Sequence, residues 1–64
     1  MMAHTAIVVR SIRRRMGWTR KDMARIIGTT AAHLGRVDRA QEKLDKDVAA
    51  RLCAATGAKF DQIW

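Results

Sequence analysis

Glycine stands at positions 17, 28 and 57, each time directly after a run in which apolar residues recur at helical spacing, and the chain contains no proline. β-Branched residues nowhere alternate over the length of a strand, and no internal repeat or low-complexity run occurs, so an all-helical fold is expected. The glycines help to divide the chain into five helices. The first is expected from about Thr5 to Met16, with Val9, Ile12 and Met16 on its inner side and Gly17 as its C-terminal cap. The second opens at "TRKD", where Thr19 caps the helix and Asp22 stands at the third position, near the positive helix end. Met23, Ala24 and Ile27 line its inner face, and Gly28 stops it.

The stretch "GTTAAHLGRV" breaks one helix and restarts another at once. Gly28 takes the positive φ that ends a helix at low steric cost, and the hydroxyl of Thr30 or of Thr29 caps the third helix. Leu34 and Val37, three apart, pack inward, while Ala31, Ala32, Arg36 and Arg39 point elsewhere. Two short helices joined by about three residues around a glycine form the helix-turn-helix pattern, here over about residues 19–38. After the loop "RAQEKLD", Asp45 or Asp47 begins a fourth helix with Val48, Leu52 and Ala55 inward and Gly57 at its end. The final "FDQIW" is long enough for one helical turn, whose Phe60, Ile63 and Trp64 offer an apolar surface. Residues 1–4 are expected to fray.

Sixty-four residues make a single domain near the lower limit for folding without disulfides or metal, so completion of the core by a partner chain is expected. The single Cys53 lies in an apolar stretch, which fits a buried small side chain in a reducing cytoplasm. No apolar run approaches the roughly 20 residues that cross a bilayer, and the first positive charge of "MMAHTAIVVRS" follows its apolar patch, the reverse of a secretory leader. A cytoplasmic protein without a membrane association is the expectation. The chain carries 13 Lys and Arg against 6 Asp and Glu, a net charge of +7. Residues 1–40 hold nine of those cations and two of the acids, whereas residues 41–64 hold four of each. The excess therefore belongs to one basic docking end suited to an anionic partner, and the neutral end is left to meet protein.

With these residues placed, "RKDMARIIGTTAAHLGRV" resembles the helix-turn-helix family of phage Cro proteins and repressors, the Xre family. That pattern asks for an alanine, a glycine four residues later and apolar positions around them. Ala24, Gly28, Met23, Ile27, Leu34 and Val37 supply them. "RRRMGWT" is similar to the family's entry into the second helix, and "AATGAKFDQIW" to its ending, so the resemblance covers about Val9 to Trp64. It implies a five-helix lambda-repressor-like domain of the kind found in phage and mobile-element regulators, with an ion pair between Arg13 and Asp38. The chain departs from the family where members often carry Gln or Ser to read bases, since Ala31 and Ala32 stand there.

Two readings follow. In the first, a homodimer binds double-stranded DNA near the nucleoid as a Cro-like or repressor-like regulator. Its third helix enters the major groove, with Ala31, Ala32, Arg36 and Arg39 at the bases and Thr19, Arg20, Thr30 and His33 at phosphates. Arg36 is the guanine reader in this reading, with a solvated charge as the bland alternative, and His33 either meets phosphate or merely covers Val37. Gly35, inside the third helix, allows close packing, close phosphate approach or neither. Phe60, Ile63 and Trp64 form the dimer surface. In the second reading, the smooth alanine-bearing helix or the apolar end packs on a protein partner, as in an antiactivator or antitoxin. No nucleophile–base arrangement, phosphate-cradling loop or cluster of metal ligands is present in the sequence, so neither enzyme, cofactor nor metal is expected.

Overall fold

Threonine hydroxyls and left-handed glycines set most of the helix boundaries. In the computed structural model, which describes residues 2–63, the order is α1 (Met2–Met16), α2 (Arg20–Ile27), α3 (Ala31–Asp38), α4 (Lys46–Thr56) and α5 (Phe60–Ile63). No strand occurs among the described residues, and no helix among them is long and apolar enough to cross a membrane. Thr19 Oγ1 accepts from the Asp22 amide at 3.1 Å while Asp22 Oδ2 accepts from the Thr19 amide at 3.0 Å, a reciprocal cap for α2. Gly28, at φ 72° and ψ 41°, ends α2 and donates its amide to the Ala24 carbonyl. Two residues later Thr30 Oγ1 accepts from the His33 amide at 3.1 Å and starts α3. Asp45 occupies the N-cap backbone position of α4, without a side-chain cap bond.

Helix α1 starts at Met2, three residues before the expected Thr5 and across most of the segment expected to fray; Met1 lies outside the described residues. The cause is its docking on α5. The His4 Nε2–H donates to the Gln62 carbonyl at 3.0 Å, and the buried Thr5 hydroxyl donates to the Ile63 carbonyl at 2.9 Å. Thr5 thus spends its hydroxyl on another helix instead of capping its own.

The core joins Val9 and Ile12 of α1, Met23, Ala24 and Ile27 of α2, and Leu34 and Val37 of α3 to Leu44, Val48, Ala49, Leu52 and Ile63. Helix α3 packs on both α1 and α2, α4 packs on α2, and α5 closes against α1 and α4. Trp18 and Cys53 are half-buried against this cluster. Three expectations need correction. Ala55 is exposed and Ala49 buried, because the inner face of α4 centres on Val48, Ala49 and Leu52. Met16 is 41% exposed, at the edge of an open groove that residues 56–59 also line. Ile63 is fully buried, because its carbonyl is drawn to Thr5 and its side chain enters the core.

Polar clasps lock the helices at their ends. Arg51 of α4 donates from Nε to the Ile27 carbonyl at 2.7 Å and from Nη2 to that of Gly28 at 3.4 Å, satisfying carbonyls that α2 leaves open at its end. At the end of α3, Arg13 Nη2 (3.0 Å) and Arg20 Nε (2.8 Å) both donate to Asp38 Oδ2, and Arg10 Nη2 donates to the Asp38 carbonyl at 3.0 Å. The Asp38 side chain is only 1% exposed.

Beyond Asp38 the chain reverses at Ala40, the one non-glycine with positive φ (59°) among the described residues. The Ala40 amide donates to the Val37 carbonyl at 3.0 Å and the Gln41 amide to that of Arg36 at 2.8 Å, the paired bonds of a helix-ending reversal that usually carries glycine.

Removing Asp38 strands Arg13, whose side chain is only 19% exposed, without its counter-charge. Asp38→Ala is expected to lower stability by about 3 to 5 kcal/mol in urea denaturation followed by circular dichroism. Arg20→Ala, at the more exposed rim, is expected to cost about 1 kcal/mol or less by the same measurement. Ala40→Gly relieves the left-handed backbone and is expected to raise stability by up to about 1 kcal/mol, the gain being reduced by the freer unfolded chain.

Candidate nucleic-acid interface

Helix α3 turns Leu34 and Val37 into the core, which leaves Ala32, Arg36 and Arg39 on the opposite side. Ala32 and Arg39 are exposed, Arg36 and Ala31 half-buried, and Thr30 is exposed at the N-terminal end with its hydroxyl occupied in capping. An eight-residue helix is about 12 Å long, close to the width of the duplex major groove. Gly35 is buried under Arg39; a methyl at its position would come 3.4 Å from Arg39 Nη1. Arg39 packs over Gly35, but a methyl there would make only ordinary contact with its guanidinium, so this packing does not require glycine.

Arg36 is not a loose surface charge. Its Nε donates to Glu42 Oε1 at 2.5 Å, while the other carboxylate oxygen, Oε2, accepts from His33 Nδ1 at 2.7 Å. One carboxylate in the α3–α4 loop thereby bridges two side chains of α3. The guanidinium of Arg36, and secondarily the His33 ring, hold the Glu42 carboxyl below its ordinary range. No partner engages the terminal Nη groups of Arg36 among the described residues, and its side chain is 43% exposed. The remaining cations on this side include Arg39, which donates from Nε to Gln41 Oε1 at 3.4 Å.

Two of the residues expected at phosphates are held elsewhere. His33 is buried at 8% exposure, with Nδ1 on Glu42 and Nε2 enclosed without a partner, because its side chain folds back under the loop. In this state the ring serves the structure, held on Glu42 and turned away from solvent. Arg20 is drawn through Nε to Asp38, which places it at the C-terminal end of α3. Thr19 is exposed at the start of α2, beside the also exposed Lys21. Asp22 closes the Thr19 cap, and the Thr19 amide and then its hydroxyl hold the Asp22 carboxyl below its ordinary value.

The expected dimer surface is not presented as a unit. Ile63 belongs to the core, Phe60 is half-buried against it, and Trp64 lies outside the described residues. Among the described residues, the exposed large apolar side chains are instead Ile7 (68%), Ile26 (43%) and Met16. Ile7 and Met16 line an open groove of about 630 Å³ between α1 and residues 56–62, with Arg15 and Lys59 among its lining residues.

Glu42 is the residue that reading the sequence missed. It stands six residues beyond Arg36 and nine beyond His33, outside the three- and four-residue spacings that reveal neighbours on a helix. Only the reversal at Ala40 brings it back. No protein-family model, curated protein or solved structure matches the chain.

Because the folded-state value of Glu42 is depressed, its contribution to stability is fully present above the carboxylate range and lost as pH falls through the folded value. Side-chain carboxyl NMR is expected to show Glu42 titrating below ordinary glutamates, and Arg36→Ala is expected to move it upward. An ordinary titration in the unaltered protein would show that the bridge does not persist in solution.

Proposed function

We propose that the chain is a sequence-specific binder of double-stranded DNA, a helix-turn-helix regulator of the Cro or repressor type, with α2 and α3 as the motif and α3 as the recognition helix. The observation that carries this reading is the outer side of α3: small at Ala32, cationic at Arg36 and Arg39, and backed by α1 and α2 on its other side. A rod of that length and charge fits the major groove, where an arginine gives two parallel donors to guanine O6 and N7 and an alanine methyl meets thymine. Thr19, Lys21 and Thr30 lie at helix starts, where amides and side chains take phosphate.

The size of the domain bears on stoichiometry. Its extents are 23 × 22 × 20 Å, less than the roughly 34 Å between half-sites one helical turn apart. One copy therefore reads one half-site, and a pseudo-palindromic operator needs two. The homodimer is part of the proposal, with its contact surface away from the buried Ile63. A protein-binding role has its own surface in the groove at Ile7 and Met16, and it becomes the leading reading if DNA binding fails.

Selection of duplexes from a random pool, followed by fluorescence anisotropy across a salt series, tests the proposal. The expected result is binding whose logarithm falls linearly with the logarithm of salt concentration, with a protected length spanning two half-sites. Arg36→Ala is expected to lose about 1 to 3 kcal/mol of discrimination at one base pair and little elsewhere. Failure of every selected duplex to bind at about 50 mM salt would overturn the DNA reading.

A further inference from the structure

The bridge from Glu42 raises a question that the charge of α3 does not answer. A carboxylate beside a groove-facing arginine repels the phosphates of a duplex, so its presence on a DNA-binding face weakens attraction. What it supplies is geometry. Glu42 is itself held at both oxygens, by Arg36 Nε and by the Nδ1 of a histidine ring that is buried. The main chain of His33 is fixed in turn by the Thr30 cap. A carboxylate with both oxygens engaged has little rotational freedom, and a guanidinium bound to it through Nε shares that restriction.

We propose, resting on the DNA-binding reading, that Glu42 is a positioning residue that sets the base preference of Arg36. A guanidinium offers two edges able to give parallel hydrogen bonds to guanine, one formed by Nε with an Nη and one formed by the two Nη groups. Glu42 occupies Nε and so removes the first edge. The second edge carries no partner among the described residues, and the side chain remains partly open to solvent. Arg36 is therefore held for an end-on approach to the O6 and N7 acceptors of guanine, a pair that no other base presents in the major groove; either edge can read that pair, and what Glu42 adds is one fixed geometry in which to do so. Fixing the arginine before binding also lowers the rotamer entropy lost on contact. The partner selected is guanine at one position of each half-site, and the selection depends on an acid that lies outside the recognition helix.

Glu42→Ala and Glu42→Gln separate geometry from charge. In the free protein, 15N NMR is expected to show a slowly exchanging Arg36 Nε–H that is lost in Glu42→Ala. Glu42→Gln keeps a single carbonyl oxygen for two donors and is expected to fall between. With selected duplexes, Glu42→Ala is expected to lower the preference for guanine at the Arg36-dependent position about tenfold while leaving preferences at other positions in place. Total affinity for unrelated duplexes is expected to rise as the negative charge is removed. A purely structural role would weaken binding to all duplexes alike, and thermal melting of each variant reports any loss of fold. Should Glu42→Ala not fold, Glu42→Gln carries the comparison. If the unaltered protein binds duplex and the Glu42 variants keep full guanine preference, the positioning role is overturned while the DNA reading stands. If the unaltered protein binds no duplex, both fall.

Discussion

Asp38 is the point on which the arrangement of the first three helices turns. Its side chain is enclosed, and an enclosed carboxylate is tolerable only with opposite charge and hydrogen bonds around it. Arg13 from α1 and Arg20 from α2 meet it on one oxygen, and Arg10 meets the main-chain carbonyl of the same residue. Cations at the end of a helix are also favoured by the partial negative charge of its unpaired carbonyls. Apolar packing drives the three helices together, but packing alone is non-directional. The arginines around Asp38 give that packing a fixed orientation at one end of α3, as Arg51 does at the turn between α2 and α3.

That hub also changes what the net charge means. A formal excess concentrated in residues 1–40 suggests a uniformly cationic docking end, yet three of those arginines are bonded to Asp38 and a fourth to Glu42. Charge paired within the protein is less available to displace counterions from a phosphate chain. Lys21 and Arg39 meet no acid among the described residues, and Arg25 is paired only with Asp22, at 3.4 Å; these cations are spread over α2 and the end of α3.

The all-helical fold was legible because local chemistry and long-range packing agree at the boundaries. Thr19 with Asp22, Gly28 and Thr30 act within three or four residues of themselves, so their effect is written in adjacent letters. The start of α1 was not legible: Thr5 has the chemistry of a cap, and only its meeting with Ile63, far along the chain, shows why it does something else. Ile63 was misread for a related reason, since one helical turn has too few residues for its spacing to say which side faces inward. At the candidate site, the positions of Ala32, Arg36 and Arg39 follow from Leu34 and Val37. The burial of His33 and the presence of Glu42 do not, because both depend on a left-handed alanine where the pattern offers no glycine.

The bonds from His4 and Thr5 to Gln62 and Ile63 span 58 residues, so the path of the described chain comes back to its own beginning at one corner. Topologically it is a nearly closed ring with a single unsealed joint. The entropy of closing such a ring grows only with the logarithm of its length, which makes the joint affordable in so short a chain. Joining the two sides of that corner through a brief linker, and opening the chain between α3 and α4 at a point away from the buried Leu44 instead, would keep the same neighbours around the core while severing Glu42 or sparing it according to where the cut is made.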